Sequence, residues 1–251
     1  MSFEAQKILN HKPQQGLSYV YPMFTSPVFA LIRHGDYHQP LGVPSALLPY
    51  QLTEEGFQQA RAAGSVCEQF ATINDLKLHP VLDSSLQLRA WQTAQLIAET
   101  LAGDFQVHEH VCISERSMGA AANLTVQQIE TILNNDPRYE VPLGSWKSDS
   151  HYCLPFQGAE SLMQAGERVA QHIKDQSTEV APSTLKIIVG HGAAIRHACV
   201  HLGILDLTMV STISMHHARP VFISCFEDGW RMVGGEWKQR ARSGEGDEIR
   251  E

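Results

Sequence analysis

Two short apolar runs, at residues 28–32 and 185–189, stand out from a chain that elsewhere repeats its apolar positions at helical spacing. Runs of this length predict buried strands. Thr53 is placed to N-cap a helix, with Glu54 and Glu55 in the first turn, where the helix dipole favours negative charge. Phe57, Ala60, Gly64 and Cys67 then share one face of that helix. A short strand near 81–83 precedes a second helix striped by Ala90, Ala94, Ile97 and Leu101. A third helix is predicted from about 158 to 173 on Leu162, Ala165, Val169 and Ile173, and a fourth from about 193 to 202. Residues 221–226 and 231–233, joined by Glu227-Asp228-Gly229, predict a closing hairpin.

This alternation predicts an α/β fold: a three-layer sandwich, its sheet mainly parallel, with helices on both faces. Residues 120–157 break the rhythm with Pro137, Pro142 and Pro155 and a single predicted helix at about 125–133. An insertion of that length is read as a lid over a site. The expected organisation is an N-terminal arm at 1–27, one domain at 28–237 with the lid at about 120–157, and a flexible tail at 238–251.

Composition narrows the function classes. The chain has 251 residues, 43% of them hydrophobic, and a formal charge of −8. That charge argues against general binding of nucleic acid or anionic membrane, both of which need basic surface. No apolar run is long enough to span a bilayer. The first residues lack the apolar core of a secretory signal, and residues 1–27 lack the arginines of a mitochondrial transit segment. Five cysteines, odd in number and without a C-x-x-C pair, read as reduced and mostly buried. A soluble cytoplasmic enzyme is expected.

In open α/β sheets, ligands sit at the carboxyl ends of the strands. Three such ends carry chemistry here. Arg33-His34-Gly35 follows the first strand. Gly190-His191-Gly192 follows another and opens a helix, whose free N–H groups favour an anion. Ser84-Ser85 follows a third, with Arg89 in the next helix. Arginine forks match phosphate oxygens. A histidine kept neutral by nearby arginines is a nucleophile. Phosphoryl transfer without a metal needs such a histidine, cations around the equatorial oxygens, and a carboxylic acid for the leaving oxygen.

Leu31-Ile32-Arg33-His34-Gly35 resembles the signature of the histidine phosphatase superfamily, which includes the cofactor-dependent phosphoglycerate mutases. The likeness continues in the family's order through Leu52-Thr53-Glu54-Glu55-Gly56 with Gln59-Ala60, and the segment from Ser84-Ser85 to Arg89-Ala90 and Thr93-Ala94. It ends with Glu115-Arg116-Ser117-Met118-Gly119, Gly158-Ala159-Glu160-Ser161 and Val189-Gly190-His191-Gly192. It spans roughly residues 28–235. The resemblance implies that His34 is the phosphorylated nucleophile and that Arg33, Arg89 and His191 bind the transferring group. It also implies that Glu115 donates the proton and later activates water. No cofactor and no metal are implied. Gly192, Tyr37 and His38 are further candidates for phosphate or substrate contact.

Within the family, the mutases carry a Ser and an Asn after Arg-His-Gly where this chain has Tyr37 and Pro40, and a longer lid rich in arginine. The lid here offers mainly Arg138 and Lys147. A mutase must hold a second acidic substrate, so a hydrolase acting on phosphomonoesters is favoured over a phosphoglycerate mutase. Arg33-His34 followed by Tyr37-His38 is also similar to the family's mitochondrial protein phosphatases, which keeps phosphopeptides beside small phosphorylated metabolites as substrates. A phosphate-binding module without turnover and a metal-dependent hydrolase built on the extra histidines are the remaining alternatives. Of the other histidines, His197 and His201 lack the Glu of H-E-x-x-H and read as a helix-surface pair. His108 and His110, and His216 and His217, read as structural or solvent-facing. Oligomeric state is left open.

Overall fold

The computed structural model describes residues 24–44, 47–140 and 144–240. Nearly all of the N-terminal arm and the end of the tail lie outside the described residues. The main sheet is built from β1 (Val28–Arg33), β2 (Lys77–Leu78), β3 (Val81–Ser85), β4 (Gln106–His110), β5 (Thr184–Gly190), β7 (Val221–Phe226) and β8 (Gly229–Gly234). Its order is β4-β3-β5-β1-β7-β8, with β2 also on β5. β1 runs parallel to β5, and β3 runs parallel to both β4 and β5. Only β7 and β8 are antiparallel. A small second sheet pairs β6 (Ile213–Ser214) with β9 (Lys238–Gln239).

Every residue of β1 and β5 is buried, which is why both read as near-continuous apolar runs. Successive side chains serve opposite layers. Val28, Ala30 and Ile32 pack with Ala63, Cys67, Ala94 and Ile97 of α1 (Glu54–Ile73) and α2 (Leu88–Thr100). Phe29 and Leu31 pack with Ala165, Val169, Ile173, Ala194 and Ala198 of α4 (Leu162–Glu179) and α5 (Gly192–His201). Lys186 interrupts the β5 run yet stays buried, because its Nζ reaches Asp83 Oδ1 at 2.7 Å and donates to the Val81 carbonyl at 3.0 Å.

Several boundaries differ from the sequence reading for physical reasons. The third predicted helix, α4, begins at Leu162 rather than near 158, because Ser161 and Gln164 close a capping box. Gly158 instead takes a positive φ of 79°, and Ala159 bridges to Met118. A tail starting at 238 is corrected: Lys238 and Gln239 form β9, a strand too short to show in the pattern. The cysteines are also less buried than expected, with Cys67 and Cys199 inside, Cys112 and Cys225 half-buried and Cys153 exposed. The segment 120–157, expected to be a lid, carries α3 (Val126–Asn135), capped by Thr125, over its own core of Met118, Ile129, Leu133 and Trp146. The 4-residue α6 (Leu207–Val210) completes the helices among the described residues.

The loop after β1 rests on the start of α1. Thr53 Oγ1 accepts from Gly56 N, as an N-cap should, and also donates to Asp36 Oδ2 at 2.8 Å. Asp36 N donates to Gln59 Oε1 at 2.9 Å, and Thr53 N to the Asp36 carbonyl at 3.0 Å. The approach is so close that a Cβ on Gly56 would lie 2.0 Å from the Asp36 carbonyl oxygen, and one on Gly35 would lie 2.6 Å from the Gly56 oxygen. Gly56→Ala must therefore push the loop off the helix. It should cost about 2 kcal/mol or more in thermal unfolding. A variant with unchanged Tm would show that the loop is free to move.

Candidate active site

β1, β3 and β5 all end at one edge of the sheet, and their last residues converge there. His34 follows β1 and continues the ladder by donating its N–H to the Gly190 carbonyl at 3.0 Å. His191 follows β5, and the two imidazole centroids are 5.1 Å apart. Arg89 stands in the first turn of α2, completely buried, and bridges them. Its Nε donates to His34 Nε2 at 3.2 Å, its Nη2 to His191 Nδ1 at 3.2 Å, and its Nη1 to the Leu48 carbonyl at 2.9 Å.

These partners assign the tautomers. His34 Nδ1 lies 2.8 Å from the Gly35 carbonyl and carries the proton, so Nε2 keeps its lone pair. His191 accepts at Nδ1 and donates from Nε2 toward Ser85 Oγ at 2.8 Å and Gln87 Oε1 at 3.0 Å. Burial pushes both histidines well below the ordinary histidine value, and the Arg89 charge pushes them further. Burial likewise lowers Arg33 and Arg89, opposed by Glu115 and Tyr37. Arg33 Nη1 donates to the Met215 carbonyl at 3.1 Å. Its stem lies over Gly192, where a Cβ would come within 3.1 Å of Arg33 Cδ.

The other candidates fall in different places. Tyr37 is buried against His34, edge-on to its ring at 5.1 Å and with the Arg89 guanidinium 4.7 Å over its own ring. His38 is exposed and shares a cavity of about 220 Å³ with Asp36, Gln39, Thr53 and His217. Glu115 is half-buried, its Oε1 accepting from Arg116 N at 2.8 Å. It lines a cleft of about 590 Å³ together with Leu47, Leu48, Pro49, Leu86, Leu88 and Val111, and with the polar Gln87, Ser114, Ser117, Glu160 and Arg168.

Sequence reasoning missed the residues that hold this set in place. His217, read as structural or solvent-facing, donates from Nδ1 to the His34 carbonyl at 2.9 Å, and burial pushes it down to about 4. Thr93 accepts from Gly35 N at 3.0 Å, fixing the loop that carries His34 to α2. Arg168 clamps the Glu115 segment. It donates to the carbonyls of Cys112, Ser114 and Glu115 at 2.7–3.0 Å and forks onto Glu160, which also accepts from Ser117 N at 3.0 Å. The match at Glu160 was the available signal. His197 is not on the helix surface: it is buried, with Nε2 near Ser150 Oγ at 3.0 Å and Nδ1 near the Ala193 carbonyl at 2.8 Å.

Two predictions follow from the electrostatics. A depressed histidine pKa means that the folded protein releases protons that an unfolded histidine would keep below about pH 6.5. The stability gained from neutral His34 and His191 is therefore complete above that pH and is lost as pH falls. The acidic limb of kcat/KM, where His34 must be neutral, should lie well below 6.5, and a limb at 6.5 would contradict the arrangement. Arg89→Lys keeps a charge but cannot reach both imidazoles and a ligand with one fork. It should lower kcat/KM by about 10²–10³-fold. Near-normal turnover would leave Arg89 as a source of field only.

The comparisons agree with this geometry. Residues 29–238 match the histidine phosphatase superfamily (branch 1). No curated protein matches the chain. Among solved structures, the fold is similar to a mycobacterial glucosyl-3-phosphoglycerate phosphatase, at 19% identity and TM-score 0.63, covering 82% of this chain and 97% of that one. It is similar also to the Entamoeba histolytica phosphoserine phosphatase in complex with 3-phosphoglyceric acid, at 23% identity and TM-score 0.59, covering 85% and 98%. The strand-end histidines, the arginine between them and the match along most of the chain lead to one conclusion: this chain belongs to the histidine phosphatase superfamily, branch 1.

Proposed function

We propose that the protein is a metal-independent phosphomonoesterase that works through a phosphohistidine on His34. The observation that carries this reading is the lone pair of His34 Nε2, kept neutral and aimed at the Arg89 guanidinium, beside Arg33 and His191. A phosphate dianion fits the need of two buried guanidinium groups for negative charge. The Arg89 Nε–H hydrogen bond shifts from His34 Nε2 to a phosphoryl oxygen, the freed lone pair attacks phosphorus in line, and the bond to the ester oxygen breaks as Glu115 supplies its proton. The resulting Glu115 carboxylate then takes a proton from water, which attacks the phosphohistidine. Phosphate leaves and His34 recovers its lone pair. The depressed pKa of His34 supports its role as the attacking base, and the complete set of site residues argues against a module without turnover.

The surroundings favour a hydrolase over a mutase. Of the lid cations, Arg138 is exposed and tied to Asp136 at 2.6 Å; the cleft beside Glu115 is lined largely by leucine, proline and valine, and the one arginine on it, Arg168, is already paired with Glu160. This supports small phosphorylated metabolites with an apolar alcohol portion over compounds with a second acidic group, and over phosphopeptides. The relatives named above are described as phosphatases of small phosphorylated metabolites, which agrees on size, but those metabolites carry a carboxylate, so the preference for an apolar alcohol rests on this cleft alone. Five free cysteines, one of them exposed, support a reducing, cytoplasmic setting. No helix among the described residues is long and apolar enough to cross a membrane.

The test is a pre-steady-state comparison of alkyl and aryl phosphates with wild type and Glu115→Gln. Phosphate should be trapped on His34 in an acid-labile, base-stable form. Glu115→Gln should slow phosphorylation by an alkyl ester about 10²–10⁴-fold, and by p-nitrophenyl phosphate much less, because that leaving group needs no proton. It should also let phosphoenzyme accumulate after a burst of nitrophenol. Equal losses for both esters would assign the acid to another residue, and label on any residue but His34 would overturn the mechanism.

A further inference from the structure

A second group of chemically active side chains lies on the α4 side of the sheet, near the edge strand β4. His110 ends β4, Cys112 sits in the single 3-10 turn that follows (Val111–Ile113), and His172 reaches them from α4. One ligand atom from each lies within 4.8 Å of the others. Cys112 Sγ is 3.4 Å from His172 Nδ1. Behind them, Asp83 of β3 accepts from His172 Nε2 through Oδ2 at 2.9 Å. Its other oxygen meets Lys186 Nζ at 2.7 Å and lies 3.4 Å from His110 Nε2. That last contact is long for a hydrogen bond, and His110 Nε2, shut off from solvent, has no better-placed partner than the Asp83 carboxylate.

We propose that His110, Cys112 and His172 bind a borderline-soft divalent cation of the zinc class. Two imidazoles and a thiol are the donor set such ions take, and three protein ligands leave a fourth position for water. The His110 side chain is 32% exposed, so the cluster opens to solvent on that side. Tetrahedral bonds of about 2.3 Å to sulfur and 2.0–2.1 Å to nitrogen place the two donors roughly 3.5 Å apart, close to the spacing of Cys112 and His172 as it stands. The carboxylate behind is the usual partner of a ligating histidine: Asp83 accepts the Nε2–H hydrogen bond of His172 and so presents Nδ1 toward the ion. Against the pull of burial, the hydrogen bonds to Asp83 and Cys112 raise His172 to about 9, so on binding both its Nδ1 proton and the thiol proton of Cys112 pass to solvent. Asp83 balances Lys186, and the thiolate offsets half of a divalent ion, leaving one positive charge at the solvent-open side.

The position gives the ion a consequence. Cys112 lies three residues before Glu115, and His172 lies one turn after Arg168, which already grips the Cys112 carbonyl. A bound ion would fasten the start of the proton-donor segment to α4 at a second point. The chemistry at His34 stays outside the cluster, so the stripped protein should still turn over aryl phosphate.

The experiment uses the full chain stripped with chelator and titrated with Zn²⁺ against a chromophoric competitor, then with Co²⁺. One equivalent should bind and raise Tm, and the Co²⁺ form should show a thiolate-to-metal charge-transfer band. That band distinguishes the cluster from ions held by the active-site histidines, which have no thiol. Cys112→Ser should remove the band and weaken binding roughly 100-fold, and the partly exposed His110→Gln should weaken it similarly. Cys153→Ser, at the exposed cysteine, should leave both unchanged. Absence of stoichiometric binding, or binding that survives Cys112→Ser and His110→Gln in folded protein, overturns the proposal.

Discussion

The arrangement depends on burying the Arg89 guanidinium between two neutral histidines. Removing an ion from water costs several kcal/mol even after the protein relaxes. Three hydrogen bonds from Arg89, each worth about 1.5–3 kcal/mol for a charged donor, roughly offset that cost. They do so only if His34 and His191 present lone pairs, so the arginine and the two tautomers determine one another. The same guanidinium lies over Tyr37. Much of the surrounding structure can be read as the scaffold for this contact. β1 and β5 must be neighbours for the two histidines to approach, and α2 must begin at the end of β3 for Arg89 to enter from the side.

The loop contacts extend the same constraint. His34 cannot be held by its own side chain, which is committed to Arg89 and the Gly35 carbonyl, so its backbone is held instead. Gly190, His217 and Thr93 grip residues 34 and 35 from β5, from the segment before β7 and from α2. Two glycines, 35 and 56, then let the chain turn directly onto α1. On the opposite side, Arg168 and Glu160 do for the Glu115 segment what these groups do for the nucleophile. His34 and Glu115 thus sit on separately braced pieces of backbone, which suits the proposed roles of nucleophile and proton donor, since both need pre-organisation.

What was legible in the sequence follows from this division. Strands buried on both faces leave continuous apolar runs, and helices over one face leave a stripe, so β1, β5, α1 and α2 were readable. His34, His191, Arg33 and Arg89 were readable because strand ends are where chemistry collects. The start of α4 was misplaced because Glu160 and Ser161 precede it as clamp and cap, and a stripe read backward ran through them. β9 was lost because two residues carry no periodicity. His217 and Thr93 were not readable as site residues at all. Each acts by one hydrogen bond to a backbone group some 58 or 183 residues away, a pairing that composition and spacing do not encode.

The site separates two tasks that one surface could not perform together. Recognition of the phosphoryl group needs desolvated cations and neutral imidazoles, which are held on the rigid strand ends. On the proposed reading, selection of the alcohol portion needs variable shape and falls to the loop around Leu47 and Leu48, the turn at Leu86–Leu88 and Val111. The two regions share one residue: the Leu48 carbonyl accepts from Arg89 Nη1, and its buried side chain packs with Tyr37, Val43 and Leu52 at the edge of the cleft. The backbone that borders the cleft is thus the one that steadies Arg89, so the proposed reading ties the fit of the alcohol portion to the position of the arginine through that carbonyl.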